Sequence, residues 1–573
     1  MKRRNLALLV TLALSVSLFA GCAADNTSSV GDTDTTEAVG TTSEDTTEGA
    51  AAEDIVVDAD ALNVCVGPNP DTIDPALNSA VDGATMIIHA FEGLYRLDKN
   101  GTPEPGSAES VDISDDGLQY TFHLREGLKW SDGSPLTAED FVYSWRRAIN
   151  PDTGADYEYM FESIAGYAEA IGDEEDEDHE FDPDAFQVSA PDDFTLEVTL
   201  ISRTPYFLEL TAFPVYMPVQ EATVEANGDA WATKAETYVG NGPYKITEFV
   251  LSSHITMEKN YDYWEVEKVG PEKIVFHLIE DTVAQYNAFQ SGELSLINDV
   301  PPDEIESLRS NPAFHMPAQM GTYYVSFNNQ VAPFDNELVR KAFSLAIDRT
   351  YIANVLAKGY IPAGAWVPPG LTDADPTKEF RDVGGNYLDP SDSAYAANLE
   401  EAKAALAEAG YPDGEGLPVI EYIFNNTALH QSVAEALQDM WGQLGAKVEI
   451  EVNEWATFLN LRKNGEYMVA RDGWLNDYND PIGVLDLFIT GGGNNNSQYK
   501  NPEYDALINT IKNTADNTER MKLLHEAEDI LMDNWVFAPI MYYANPFMLD
   551  PALSDSVWTS PLGYYYFMYA KMD

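Results

Sequence analysis

Apolar and polar positions along this chain repeat with two periods, close to two residues and close to 3.6. Period-two or short apolar runs at residues 62–66, 195–200, 255–258, 274–278, 323–327, 419–424 and 448–452 predict strands. Val111 and Ile113 alternate up to Asp115-Asp116-Gly117, and Tyr120, Phe122 and Leu124 alternate back, which predicts a hairpin over 111–125. Helical spacing covers residues 84–94, with apolar positions ending near Tyr95, and 336–358, through Val339, Phe343, Ile347 and Val355. Thr137-Ala-Glu-Asp140 is a capping-box variant opening a helix through Phe141, Val142, Trp145 and Ile149, which Pro151 stops. A helix through Tyr286 and Phe289 ends at Gly292, another over 399–409 ends at Gly410, and a further one runs to Leu444. Strands and helices alternating in this way, with no internal repeat, predict an α/β protein with more than one lobe.

The N-terminus changes the picture from a cytoplasmic to an exported protein. Lys2, Arg3 and Arg4 precede an apolar run over 6–20, shorter than the roughly 20 residues that cross a bilayer and laid out as a secretory signal. The run closes with Leu18-Phe19-Ala20-Gly21-Cys22, which resembles a bacterial lipoprotein cleavage site whose cysteine becomes acylated, as with palmitate. Phe19 stands where that pattern usually has Leu, and an ordinary signal with Cys22 incidental is the alternative reading. The only other cysteine is Cys65, so an acylated Cys22 leaves no internal disulfide. Residues 23–54 are Thr, Ser, Gly, Ala, Asp and Glu with few large apolar side chains, a disordered acidic tether with a mean reach of roughly 30 Å.

Charge narrows the partners. The 96 acidic side chains against 32 basic ones give a net charge of −64, which excludes nucleic acid and disfavours lying flat on an anionic membrane. Attachment is expected through the lipid alone, on the extracytoplasmic face. Residues 173–182 are almost wholly acidic and read as a solvated loop, with a weak cation site as the alternative. Asp112, Ser114, Asp116 and Gly117 imitate the first half of a calcium loop, but His123 stands where a bidentate Glu is needed.

Residues 468–481 hold the densest candidate chemistry. Residues 468–470 read as the end of a buried strand, and Gly473 admits a close backbone approach. Asp477 suits an ammonium, Arg471 suits a carboxylate in a bidentate fork, and Trp474 and Tyr478 offer apolar faces with polar tips. Together they fit a small zwitterion; a strand-to-loop exit with solvated charges fits the same residues. The chain has no Gly-x-Ser-x-Gly, His-Glu-x-x-His, Walker A or Gly-x-Gly-x-x-Gly motif. Residues 491–496 are glycine-rich without a lysine and read as a flexible loop, and the eight histidines do not cluster at metal-ligand spacing. A binding role, with no cofactor, no metal and no catalytic residue, is expected.

Several motifs then carry a resemblance. They are Trp130-Ser-Asp-Gly-Ser-Pro-Leu-Thr-Ala-Glu-Asp-Phe-Val-Tyr-Ser-Trp-Arg-Arg147, Gly240-Asn-Gly-Pro-Tyr-Lys245, Lys259-Asn-Tyr-Asp-Tyr-Trp264 and Ala288-Phe-Gln-Ser-Gly-Glu293. The run from Phe327-Asn-Asn through Pro333-Phe-Asp to Leu345-Ala-Ile-Asp-Arg349 continues them. Over about residues 60–573 the chain resembles the solute-binding proteins of dipeptide, oligopeptide and nickel ABC importers, most of all the oligopeptide-binding branch. The resemblance implies a two-lobed periplasmic-binding-protein-like fold of type II, the large peptide-binding variant with an extra domain and a ligand cleft between the lobes. It implies a signal peptide over 1–22, lobe I from 55–91, 220–322 and 545–573, an extra domain over 92–219 packed on lobe I, and lobe II over 323–544.

It also implies a lipid-anchored, monomeric receptor that captures short peptides and delivers them to ABC permease transmembrane subunits. Asp477 would pair with the peptide ammonium and Arg471 with the carboxylate of a short peptide, while Gly473 and Leu475 would offer backbone hydrogen bonds. Ser79 to Val81 would supply a facing strand, and Tyr157, Trp455 and Trp474 would line side-chain pockets. Phe213 stands where the best-known members of the branch have a His near the ligand. A receptor for a nickel complex, a sugar or another solute, a peptide-sensing receptor and a secreted hydrolase on the same fold are the alternatives.

Overall fold

The computed structural model describes residues 57–172, 180–560 and 562–572; the side chains of residues 455–456 are not among those described. The expected signal, Cys22, the tether and residues 173–179 of the acidic loop lie outside the described residues.

Alternation builds the smallest of the three main sheets. Along Gln119–Leu124, Tyr120, Phe122 and Leu124 are buried while Gln119 is exposed, and along Thr195–Thr199, Leu196 and Val198 are buried. These strands pair antiparallel between Ala108–Ile113 and Val188–Asp192 to give a four-stranded sheet. The hairpin turn consumes the residues that imitate a calcium loop: Asp116 accepts from the Ser114 hydroxyl at 2.5 Å and from Leu118 N–H at 3.1 Å. Helix Ala138–Ile149 has both bonds of the Thr137/Asp140 capping box and buries Phe141, Val142, Trp145, Ala148 and Ile149 against this sheet.

The same core runs without a break into a seven-stranded sheet. Its order is Phe314–His315, Phe547–Leu549, Leu296–Ile297, Leu62–Cys65, Lys273–His277, His254–Lys259 and Tyr244–Val250. Leu62–Cys65 pairs in parallel with both its neighbours.

The third sheet has six strands, in the order Ile361–Pro362, Phe537–Ala544, Ala318–Phe327, Val469–Leu475, Ile420–Asn425 and Val448–Asn453. Its long strand Ala318–Phe327 is buried on both faces. Tyr323, Val325 and Phe327 enter one apolar core, while Met320 and Tyr324 enter the other. The chain crosses from the seven-stranded to the six-stranded sheet at residues 316–317 and returns at 545–546. The two crossings are tied together by Asn545 N–H donating to Pro317 C=O at 3.0 Å.

Most predicted elements are present, and the departures have physical causes. The expected helix over 84–94 is Val81–Ala90, and Tyr95–Leu97 is a strand instead. Ser79 to Val81 is accordingly not a strand: Ala80 caps the helix and Val81 is its first residue. The apolar stripe over 336–358 is not one helix but Glu337–Leu345, Arg349–Tyr351 and the π-turn Ile352–Leu356. Asp348 restarts the helix by accepting from Tyr351 N–H at 2.9 Å, and buried Arg349 donates back to Ser344 C=O at 2.9 Å and across to Pro539 C=O at 2.7 Å. Residues 468–470 do not end a strand; they lead into Val469–Leu475. The glycine-rich loop at 491–496 is tied into the lobe by Asn495, whose amide donates to Ile489 and Tyr499 carbonyls at 2.9 and 2.8 Å.

One buried ion pair closes the second core of the six-stranded unit. Fully buried Glu528 accepts two bonds from Arg381 at 2.6 and 2.9 Å and two more from Trp366 and Val367 N–H at 3.1 and 2.8 Å. Glu528→Ala leaves two amides without acceptors and the buried Arg381 guanidinium with only the Val367 carbonyl, at 3.2 Å. It is expected to cost about 3–5 kcal/mol in the urea unfolding of this unit, and more than the double change Arg381→Met/Glu528→Leu. A loss below about 1 kcal/mol would contradict this accounting.

Candidate functional site

Three aspartates and one arginine crowd strand Val469–Leu475 and the turn after it, and their partners sort them. Asp472 is buried and ion-paired with Arg462 of helix Trp455–Lys463; it also accepts from Asn496 at 3.0 Å. Asp480 is buried in a bidentate pair with Arg520, at 2.5 and 2.9 Å. Asp477 has no ion pair among the described residues. Its one hydrogen bond comes from the Tyr159 hydroxyl, 2.9 Å away, and burial pushes its pKa up to about 6. The turn that aims it is held by Asn476, whose side chain donates to Tyr478 and Asp480 carbonyls at 2.5 and 3.0 Å and whose backbone N–H donates to Met320 C=O at 2.7 Å.

Arg471 is the complementary case. It forms no ion pair among the described residues, its Nε is buried without a partner, and its Nη2 donates to the Tyr543 hydroxyl at 3.3 Å. The guanidinium lies 5.0 Å from the centre of the Tyr323 ring. His430, bonded to the Tyr323 hydroxyl at 3.2 Å, is held neutral by burial and by Arg471, with its pKa lowered to about 3. Gly473 makes this packing fit, because a Cβ there would stand 2.3 Å from Tyr543 Oη.

Between these two unmatched charges runs an unpaired strand edge. Strand Val469–Leu475 pairs over its whole length with Ala318–Phe327, but on its other side it pairs with Ile420–Asn425 only at Val469 and Ala470. From Arg471 to Leu475 that edge carries no neighbouring strand among the described residues. About 13 Å of extended backbone is left open there.

The seven-stranded unit closes over the end of this edge. Ser79, Val81, Tyr157, Phe213, Leu475 and Asp477 all line one cavity, with Asn78, Pro214, Leu562 and Tyr564. Tyr157 meets Phe213 edge to face at 5.0 Å. Arg471, Gly473 and Trp474 do not line this cavity; they continue along the strand away from it. Trp474 packs toward the core of the six-stranded unit, and the side chain of Trp455 lies outside the described residues.

Tyr159, Tyr543, Leu562 and Tyr564 are the site residues that sequence reasoning missed. Tyr159 sits in a 3-10 turn, Glu158–Phe161, with no periodic signal, although its place two residues beyond Tyr157 was a usable hint. Tyr543 and Tyr564 come from distant segments that only the folded chain brings alongside Arg471 and Asp477.

The chain matches the family described as bacterial extracellular solute-binding proteins, family 5 Middle, over residues 102–496. It is similar to the oligopeptide-binding protein OppA of Bacillus subtilis (strain 168), 36% identical over 505 residues that cover 87% of this chain and 90% of that protein. Among solved structures it is similar to the murein tripeptide-binding protein MppA in its unliganded open form. That match has a TM-score of 0.75 at 30% identity and covers 90% of this chain and 98% of the other. It is similar also to Haemophilus influenzae OppA in complex with RPPGFSPFR, with a TM-score of 0.70 at 30% identity, covering 90% and 99%.

The contact at Gly473 is directly testable. Gly473→Ala is expected to lower the thermal midpoint by displacing Tyr543 and the guanidinium beside it. Adding Tyr543→Phe, which removes the clashing hydroxyl, should recover part of the loss. A double variant no more stable than Gly473→Ala would count against this packing.

Proposed function

Because the chain belongs to the bacterial extracellular solute-binding proteins of family 5, we propose that it captures short peptides outside the cytoplasm and delivers them to the permease of an ABC importer. The observation that carries this reading is the pair of unmatched charges, Asp477 and Arg471, on one strand whose edge between them is unpaired. A peptide laid on that edge as an extra strand uses amides that every sequence has. Its ammonium replaces the Tyr159 hydroxyl as the partner of Asp477, and the carboxylate of a short peptide meets Arg471. A neutral sugar leaves both charges without ionic partners. OppA of Bacillus subtilis and MppA are named for peptide ligands, and the relatives are binding proteins, which supports a role without catalysis.

Acylation at Cys22 would hold this extracytoplasmic receptor at the membrane, with residues 23–54 as its tether and the protein acting as a monomer. No helix of the described residues is long and apolar enough to cross a membrane. The seven-stranded unit with the four-stranded sheet would act as one lobe and the six-stranded unit as the other, closing about the crossings at 316–317 and 545–546.

Asp477→Ala is expected to weaken binding of Ala-Ala-Ala to ligand-stripped protein by ~2–5 kcal/mol in calorimetry, and N-acetylation of the peptide should weaken it comparably. Unchanged affinity in both would overturn the placement of the ammonium. The pH dependence follows from the raised pKa of about 6. A bound ammonium keeps Asp477 ionised, so binding below about pH 6 displaces a proton and is penalised. Affinity should therefore be about tenfold weaker at pH 5 than at pH 7 and level off above it. The slope should vanish in Asp477→Ala, and a slope of the opposite sign would refute the assignment.

A further inference from the structure

A cavity of about 150 Å3 stands apart from the cleft. It lies between helix Val81–Ala90, the strand pair Tyr95–Leu97 and Pro103–Pro105, and the C-terminal segment 558–569, and no residue of the six-stranded unit lines it among the described residues. Its walls therefore stay together however the two units move. Native cores keep few voids larger than a water molecule, because the side chains around a void lose contacts. An apolar cavity of this size is large enough to admit a single six-membered ring. Ile88, Phe91, Ala212, Met217 and Met568 are buried and make the wall apolar. Lys99 is the one exposed residue of the lining, which puts the mouth at the turn between the two strands.

The charged groups that reach this space are engaged with one another. Arg96 pairs with Glu92 at 3.4 Å, with Glu104 at 2.9 Å and with Glu265 at 2.8 Å. Buried Glu92 also accepts from the Tyr263 hydroxyl and from Trp264 Nε1–H at 2.7 Å. Asp98 closes its own turn by accepting from Asn100 and Thr102 N–H at 2.8 and 2.9 Å. One polar atom differs from these. Trp558 lines the cavity and stacks on Tyr566 and Tyr569, with centroids 5.3 and 5.6 Å apart and rings within 7° of parallel. Its Nε1 is buried without an acceptor among the described residues. That omission is costly, and an oxygen brought in by a ligand would remove the cost.

We propose that this cavity is a second ligand site, separate from the peptide cleft, and that it takes a small neutral aromatic molecule with one hydroxyl, a phenol, whose oxygen accepts from Trp558 Nε1. Volume limits the ligand to one ring, the apolar and aromatic walls reward burying that ring, and the unpartnered indole N–H asks for a single acceptor. A cation finds the Tyr569 ring already faced by Arg96, 6.0 Å from its centre. An anion would enter beside Glu92 and Glu104 and lose its water there. The site does not depend on the peptide-receptor reading, since it shares neither Asp477 nor the open strand edge with it.

The test is a ligand-observed NMR titration of the full chain with phenol, benzene and benzoate at neutral pH. Phenol is expected to bind severalfold more tightly than benzene and about tenfold more tightly than benzoate. Trp558→Phe should erase the advantage of phenol over benzene; the ratio is read because loosened packing would weaken both alike. Ile88→Phe, which puts a ring into the cavity from its helix wall, should abolish binding of both while circular dichroism shows an intact fold. Benzoate binding as tightly as phenol would overturn the neutral class, and an unmoved phenol-to-benzene ratio in Trp558→Phe would overturn the role of the indole N–H. Affinities unchanged by Ile88→Phe, or phenol displaced by Ala-Ala-Ala, would overturn the location. Failure of phenol and benzene to bind at millimolar concentration would overturn the site itself and leave the peptide receptor standing.

Discussion

A carboxylate partly removed from water without a cation is held at a free-energy cost, and of the three aspartates in Val469–Leu475 and the turn after it, Asp477 alone bears that cost. Asp472 has Arg462 and Asp480 has Arg520, so the surrounding structure is neutralised before a ligand arrives. Those two pairs do more than stabilise. They fix the strand and the turn on either side of Asp477, so the unmatched carboxylate cannot swing to a cation of its own. Arg471 is constrained in the same way, between the Tyr323 face and the Tyr543 hydroxyl, with His430 kept neutral beside it. The affinity available to a zwitterionic ligand is the relief of these two constraints.

The fold makes the arrangement possible by separating its two demands. The open edge needs a rigid strand, and Val469–Leu475 gets its rigidity from Ala318–Phe327, which is buried on both faces. The end of the cleft needs a second surface, and the seven-stranded unit supplies it through Ser79 to Val81, Tyr157, Phe213 and Tyr564. The two units already touch beyond the ligand space. Tyr206 stacks on Tyr478 at 4.5 Å, with the rings nearly parallel, and Glu209 accepts from Asn479 N–H. These contacts involve no group that a peptide would use at Asp477, so the lobes can meet around different ligands in the same way.

Local pattern was a good guide wherever a segment's structure depends on its own residues. The capping box at Thr137 and Asp140, the hairpin through Asp116 and Gly117 and the Gly292 terminus stand where their chemistry predicts them. It failed where a distant group decided. The stripe over 336–358 keeps a helical period, yet Arg349 is drawn across to the carbonyl of Pro539 and the helix breaks. Val469–Leu475 did not read as a strand because Arg471, Asp472 and Gly473 interrupt its apolar run. Asp472 is satisfied by Arg462 and Asn496, Tyr543 leaves room only for a glycine at 473, and Arg471 meets the Tyr543 hydroxyl; none of these partners is adjacent in sequence.

The sequence by itself determined the α/β class and, through its motifs, the family. Each of these rests on composition, periodicity or contiguous residues. Which aspartate is unmatched, which strand edge is open, and which walls close around the end of that edge were decided only by the tertiary structure. The reason is that ion pairing, desolvation and cavity shape depend on what stands within a few ångströms. Around Asp477 those neighbours come from residues as far apart in the chain as Ser79, Tyr159, Leu475 and Tyr564.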